Sequence, residues 1–410
     1  MSNFNDLPLK GVKVVDLSTY AAVPVIGRIM ADWGADVIKV EAPAGDPMRH
    51  FGPTLGVPST NEENPIYDML NGYKRYIALD LKSEAGRKVM DELLAQADVF
   101  ITNVRIPALK KMKLTYEDLA PRFPHLVWGH ISGFGTKGPD CDRPGFDIVS
   151  YWARSGAMVD LCQPGAGPIT PPYGFGDVPS GTTLLAGVCA ALVQQKLTGK
   201  GRKVSASLYG SAIWNVSMMI ATAQDAYRDP WPRSRKNPPS PLSSAYQTQD
   251  GEWIILGILE PSRYWAPFCE NVINRPDLAY DDRFNSVPSA KKHADILVDL
   301  LDEAFAKEPI AVWEERLSAA DIAYDRVNHF REVPYDPQAW ANGYLTDVSF
   351  RNGNKAVLPN TPVQFDDEPA LPVSNVGLIG QDTREILREL NYSDEQIDAM
   401  IAAGVAAETE

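Results

Sequence analysis

Cysteine is scarce in this chain. Four residues, Cys141, Cys162, Cys189 and Cys269, are spread over 410 positions, and none forms a C-x-x-C pair. That spacing argues against both a zinc knuckle and a disulfide framework. Histidine is nearly as rare. The five present are scattered and build no H-E-x-x-H, so no metal centre is expected. Positive charge is also in deficit: 39 Lys and Arg face 53 Asp and Glu, a net charge of −14 and a pI near 4.9. Such a field repels polyphosphate and anionic bilayers, so neither nucleic acid nor membrane is expected as a partner. Any anionic ligand must be met by a local basic patch. No apolar run reaches membrane-spanning length. The stretch 184–192 is interrupted by Gly187 and reads as a buried helix. The opening MSNFNDLPLKGVKVVDLS lacks a basic region followed by an apolar one, so no signal peptide and a cytoplasmic location are expected.

What is present is an ordinary globular composition, 44% hydrophobic and 22% charged, with length for two or three domains. Residues 12–17 and 36–41 are short β-branched runs, and 25–33 between them carries apolar residues at helical spacing. A strand, a helix and a strand with short joints form a βαβ unit, which requires a parallel sheet. The pattern recurs with a strand at 76–81, a helix at 83–96 and a strand at 98–103, followed by a strand at 126–132. The fold class expected is therefore α/β, doubly wound and Rossmann-like. An Ala- and Gly-rich helix is predicted over 180–197, then a strand over 203–208.

Five prolines in 229–241 exclude regular structure there and mark a domain joint. Beyond it a strand is predicted at 253–259 and helices at 264–273, 291–305 and 310–320. A second proline-marked joint lies at 333–337. Short strands, a final helix at 382–390 and an acidic tail complete the chain.

Three segments could carry chemistry. The first is Tyr173-Gly174-Phe175-Gly176-Asp177-Val178-Pro179-Ser180-Gly181. It sets a carboxylate on a glycine-lined turn ahead of an apolar helix, where backbone amides can meet an oxyanion. Its bland alternative is a turn in which Asp177 or Ser180 caps the helix. The second is the basic cluster Arg105, Lys110, Lys111 and Lys113, placed just after a strand. Carboxyl ends of parallel strands are ligand sites, so the cluster could receive phosphates, or it could be a solvated helix face. The third, Gly133-Phe134-Gly135-Thr136-Lys137-Gly138-Pro139, matches no Walker motif and is either a plain loop or a ligand lining. His50 is a lone histidine, more often structural than acid or base.

The order of these segments resembles class III CoA-transferases, the formyl-CoA and carnitine CoA-transferase family. The resemblance runs from about Leu9 to Leu390. It is carried by LKGVKVVDLS, ADWGADVIKVEAPAGDPMR, YKRYIALDLKSEAGR, DVFITNVR, ISGFGTKGP, RPGFDIVS, GDVPSG and TGKGRKVSASL. Within the family, PAGDP, NEEN, LDLKSE, RPGFD and QAWANGYL look most like the subgroup acting on 2-hydroxy acids in amino-acid-fermenting anaerobes, the phenyllactate and 2-hydroxyisocaproate CoA-transferases. Departures are Val23 where a glycine often precedes Pro24, Ala42 where an arginine commonly follows the glutamate, and NPPSP at 237–241 in place of a glycine-rich loop.

The resemblance implies that Asp177 is a covalent nucleophile in CoA transfer between an acyl-CoA and a carboxylic acid, through a mixed anhydride and an aspartyl-CoA thioester. It implies CoA contacts at Ala21, Ala22, Leu79, Asp80, Leu81, Lys82, Asn103, Val104, Arg105, Lys111, Met112, Ser132, Gly133, Phe134 and Gly135. Phe51 and Gly176 fall on the substrate side. Coenzyme A or acyl-CoA is then a co-substrate, with no permanently bound cofactor. The implied architecture is a large domain (1–225), a small α+β domain (226–330) and a C-terminal segment (331–410) returning to the large one. The subunit would be a ring, interlocked with a second in a homodimer. Two rivals remain: a 2-methylacyl-CoA racemase or epimerase of the same fold, and a non-catalytic CoA-binding protein. The racemase requires a proton-transferring His where this chain has Phe146 of Gly145-Phe146-Asp147.

Overall fold

The computed structural model of the chain describes residues 7–227 and 231–409. Asp229 and Pro230 of the proline-rich joint lie outside the described residues. The chain divides into two compact units. One holds Met1–Ala157, Thr170–Ala221 and Pro334–Glu410; the other holds Met158–Ile169 and Thr222–Val333.

The first unit is built on strands β1 (Lys13–Leu17), β2 (Asp36–Glu41), β3 (Arg75–Leu79), β4 (Val99–Thr102), β5 (Val127–Ser132) and β6 (Lys203–Ser207). They lie in the order β3-β2-β1-β4-β5-β6, all parallel. All four residues of β4, VFIT, are buried, as expected for a sheet covered on both faces. Helix α1 (Pro24–Asp32) joins β1 to β2, α2 (Glu84–Gln96) joins β3 to β4, α3 (Ile106–Met112) follows β4, and α4 (Asp177–Thr198) precedes β6. One face of the sheet packs Val15, Ile77 and Phe100 against Val89, Leu93 and Leu94 of α2.

The second unit carries an antiparallel sheet of β7 (Ala245–Gln247), β8 (Trp253–Leu256) and β9 (Tyr324–Arg326). Its core gathers Trp265, Phe268, Phe284, Phe305 and Trp313. The helix expected over 291–305 is two, Val287–Lys292 and Ala294–Phe305, separated at His293. The one expected over 264–273 is Pro261–Pro267 followed by a π-turn, Phe268–Val272.

In the first unit, β10 (Leu345–Ser349) and β11 (Lys355–Pro359) form a hairpin. The C-terminus corrects the sequence expectation. Thr383–Glu389 is not the final helix. Asp394–Ala402 follows it, and then β12 (Ala406–Ala407) pairs antiparallel to β3 at the sheet edge. The later helix is announced by a capping box, Ser393 with Gln396, whose side chains satisfy each other's backbone amides.

Candidate active site

The strand order reverses between β1 and β4, where chains leave the sheet in opposite directions and open a crevice at their carboxyl ends. Register aligns Leu17 with Thr102, and Thr102 with His130. The residues that follow these positions line an open cavity of about 410 Å³: Thr19 and Tyr20 after β1, Asn103–Arg105 after β4, and Ile131–Gly133 around the end of β5. Asp177, the first residue of α4, completes the wall.

Two contacts stitch the rim. Thr19 N–H donates to Asn103 Oδ1 at 3.0 Å, and Asn103 Nδ2 donates to the Thr19 carbonyl at 2.7 Å. Tyr20 adopts a positive φ of 62°, unusual for a non-glycine residue. Its amide is held by Asp46 Oδ1 at 3.1 Å. Buried Lys39 fixes this corner from below, with Nζ 3.0 Å from Asp46 and 2.9 Å from the Ser18 carbonyl.

Helix α4 reaches the cavity because its start is small. A Cβ on Gly181 would lie 2.4 Å from the Ala22 carbonyl oxygen and 2.5 Å from Val25 Cγ1, so only glycine permits this approach to α1. The helix begins at Asp177, three residues before the position read from the sequence, with Gly176 at the cap and no side-chain cap. Neither capping alternative holds: Ser180 is buried and its hydroxyl donates back to the Gly176 carbonyl at 2.7 Å. The Asp177 carboxyl is pushed up to about 7, first by burial and then by the charge of Asp147.

Asp147 is itself buried and raised above the usual carboxylate range by burial, against amide hydrogen bonds from Gly176 and Gly174. The Gly176 N–H reaches its Oδ2 at 3.3 Å. That amide, expected to be free for an oxyanion, is therefore engaged.

An aromatic wall stands beside the nucleophile candidate. Tyr20 meets Phe146 edge-on at 5.5 Å and Phe51 at 6.5 Å, and Phe51 meets Tyr173 at 5.6 Å. Phe146 lines the cavity and is 55% exposed. His130 also lines it. Its Nε2 lies 3.0 Å from the Val104 carbonyl, its ring stacks on Trp128, and burial lowers it to about 4, so it is neutral near pH 7.

Of the residues singled out from the sequence, Ala22, Asn103, Val104, Arg105, Ser132, Gly133 and Asp177 line this cavity. Ala21, Leu79, Asp80, Leu81, Lys82, Lys111, Met112, Phe134, Gly135, Phe51 and Gly176 do not. The Leu79 side chain is 1% exposed and belongs to the sheet core, so it could offer a ligand only backbone. Lys111 is exposed on α3, whereas Met112 borders a second groove with Arg87, Lys88, Lys113 and Arg122. Phe134 lies under the guanidinium groups of Arg143 and Arg154. Sequence reasoning missed Thr19, Tyr20, His130 and the loop from Cys141 to Pro144. The carboxyl-end rule could have found the first two, since they follow β1 directly. Cys141 and Asp142 carry no local signal, whereas Arg143 and Pro144 open the RPGFD segment.

Comparison with known proteins identifies the family. Residues 9–383 match CoA-transferase family III. The chain is 39% identical to (R)-2-hydroxy-4-methylpentanoate CoA-transferase of Clostridioides difficile, over 95% of this chain and 97% of that one. It is 37% identical to cinnamoyl-CoA:phenyllactate CoA-transferase of Clostridium sporogenes, over 95% of each. Among solved structures it resembles a CAIB/BAIF family protein from Brucella suis, with TM-score 0.77, 27% identity, and 94% and 100% of the two chains covered. It also resembles Rv3272 from M. tuberculosis, with TM-score 0.77, 26% identity, and 93% and 99% covered. The chain belongs to CoA-transferase family III, and it is a CoA-transferase.

Proposed function

We propose that this enzyme moves CoA between an acyl-CoA and a 2-hydroxy acid, or the enoate derived from it, with Asp177 as the covalent nucleophile. The observation that carries this reading is the state of Asp177: uncapped, desolvated, and on the wall of the switch-point cavity. The substrate class is supported by the two 2-hydroxy acid CoA-transferases to which the chain is 37–39% identical.

An Asp177 Oδ attacks the thioester carbonyl. The C–S bond breaks, CoA leaves as thiolate, and a mixed anhydride remains. The thiolate then attacks the Asp177 carbonyl carbon, which releases the first acid as its carboxylate and leaves an aspartyl-CoA thioester. The second acid's carboxylate attacks the Asp177 carbonyl carbon and expels CoA thiolate, leaving a second mixed anhydride. The thiolate then attacks the acyl carbon of that acid, which forms the product thioester and frees the Asp177 carboxylate. Each step exchanges activated acyl groups of similar energy, and covalent catalysis divides one hard exchange into easier ones. A carboxylate whose proton affinity is raised is the more basic nucleophile, and desolvation limits hydrolysis of both intermediates.

Ala22, Asn103, Val104, Arg105, Ser132 and Gly133 would line the pantetheine path along the cavity. Outside that lining, Leu79–Lys82 would serve the adenosine end of CoA and Lys111 and Met112 its phosphates, while Ala21 would offer backbone to CoA and Phe134 and Gly135 would border the channel to the thioester. Phe51 and Gly176 would border the acid. We extend the proposal to a ring-shaped subunit interlocked in a cytoplasmic homodimer, with domains at 1–225, 226–330 and 331–410. Trp214 and Met218, 75% and 80% exposed, are apolar surface that an assembly would cover. The test is a screen of acyl-CoA donors against 2-hydroxy acids with mass detection of the new thioester. Absence of any transfer to 2-hydroxy acids, with transfer to other carboxylates, would overturn the substrate class.

A further inference from the structure

Asp147 has no part in the steps above, yet it is the group nearest in kind to Asp177. It is 6% exposed and opens a π-helical segment, Asp147–Ala153. Its Oδ2 accepts the Gly176 amide, while its Oδ1 is buried with no hydrogen-bond partner. A Cβ on Gly176 would come within 2.3 Å of that Oδ1 and within 2.3 Å of the Tyr151 ring. The backbone one residue before Asp177 is thus seated directly on the carboxylate. Among the described residues Asp147 has no ion-pair partner. A buried carboxylate with one bare oxygen is costly to folding, and a fold that keeps one has placed its field where the field acts.

The field acts selectively. Once ionised, above about pH 7, free Asp177 is an anion and is repelled by Asp147. Asp177 as anhydride or thioester is neutral and is not. Repulsion therefore raises the free enzyme relative to both covalent forms, without any bond or proton change at Asp147. The upward displacement of Asp177 has Asp147 as its named charge cause. The other titratable or charged groups lining the cavity are Tyr20, Arg105, His130, Cys141, Asp142 and Arg143. Arg105 donates to the Asp142 carbonyl, and Arg143 lies over the Phe134 ring. Asp147 itself is faced by the Gly174 and Gly176 amides.

We propose that Asp147 is a positioning residue which seats the Gly176–Asp177 backbone through its amide contact and, by charge repulsion, shifts Asp177 toward its acylated state. This rests on Asp177 being the nucleophile. The experiment uses the full chain with Asp147→Asn, which keeps an acceptor oxygen and removes the charge, and Asp147→Ser as a second neutral variant. Three quantities are read: the titration midpoint of Asp177 by carboxyl-carbon NMR, the fraction of enzyme trapped as a hydroxylamine-sensitive adduct with acyl-CoA, and the melting temperature. In Asp147→Asn the midpoint should fall by about one pH unit and the adduct fraction several-fold, since one unit is about tenfold in the underlying equilibrium. The melting temperature should hold or rise. A purely structural role would lower the melting temperature and leave the titration in place. A folded neutral variant with the wild-type midpoint and adduct fraction overturns the proposal. A wild-type enzyme that forms no adduct overturns instead the nucleophilic role of Asp177, and the NMR midpoint still decides whether Asp147 acts on it.

Discussion

Thr19 and Asn103 clasp each other across the switch point, amide to side-chain oxygen at 3.0 Å and side-chain nitrogen to carbonyl at 2.7 Å. The pair ties the chain leaving β1 to the chain leaving β4, the two strands between which the sheet order reverses. Asn103→Asp keeps the acceptor and loses the donor; Asn103→Ala loses both. Each lost bond should destabilise the fold by about 1 kcal/mol, read by urea denaturation. KM for acyl-CoA should rise more in Ala than in Asp, because the cavity rim is no longer pinned.

Gly181 is a steric prediction. Its Cβ would fall 2.4 Å from the Ala22 carbonyl oxygen, a backbone atom that cannot step aside. Gly181→Ala should cost about 1–3 kcal/mol of stability by overpacking. It should also lower kcat, since pushing α4 off α1 moves Asp177 with it. A variant with wild-type melting temperature and kcat would show that the helix start is not held by this contact.

The parallel sheet was legible because short β-branched runs, such as those in DVIKVE and DVFITN, alternate with helices of apolar period, which is the βαβ pattern. The edge strand β12 was not, because Ala-Ala has no strand preference and pairs only after the helix Asp394–Ala402 has carried it to β3. Asp177 stood out as a carboxylate on a glycine turn, but capping read equally well locally. Only the folded geometry separates the two: Ser180 turns back on the Gly176 carbonyl, and Asp147, thirty residues earlier in the sequence, holds the Gly176 amide. Nothing in local spacing announces that second carboxylate.

The wall of Tyr20, Phe51, Phe146 and Tyr173 predicts selectivity. Phe146→Ala should reduce kcat/KM for 2-hydroxy acids with branched or aryl side chains by about 10–100-fold, and leave that for lactate within a few-fold. Competition assays with paired acids measure the ratio directly. Equal losses for large and small acids would assign Phe146 to packing rather than to selection.

Phe146 lines the cavity at the position where the racemase reading requires a proton-transferring His, and burial makes His130 a weak base whose Nε2 is engaged at the Val104 carbonyl. Incubating an acyl-CoA with enzyme in deuterium oxide should give transfer without label at the α-carbon, by mass spectrometry. Label entering faster than transfer would favour the racemase of the same fold.

Asp177 also couples charge to stability. Folded, it keeps its proton to about pH 7; unfolded, an aspartate releases it near about 4. Between those values the folded state binds more protons, so this group's contribution to stability is complete below about pH 4 and is lost as pH rises through about 7. Asp177→Asn removes the ionisation. Its unfolding free energy in urea should match wild type below about pH 4, exceed it increasingly up to about pH 7 and then level off, by about 1–3 kcal/mol once partial exposure is allowed for. Activity has the opposite slope, because only the carboxylate attacks: kcat/KM should climb from pH 5.5 and level off above about 7. The same ionisation that weakens the fold arms the nucleophile, so the pH at which stability stops falling must coincide with the midpoint of the activity curve, about 7. A gap of more than a unit between them would mean that a different group limits one of them.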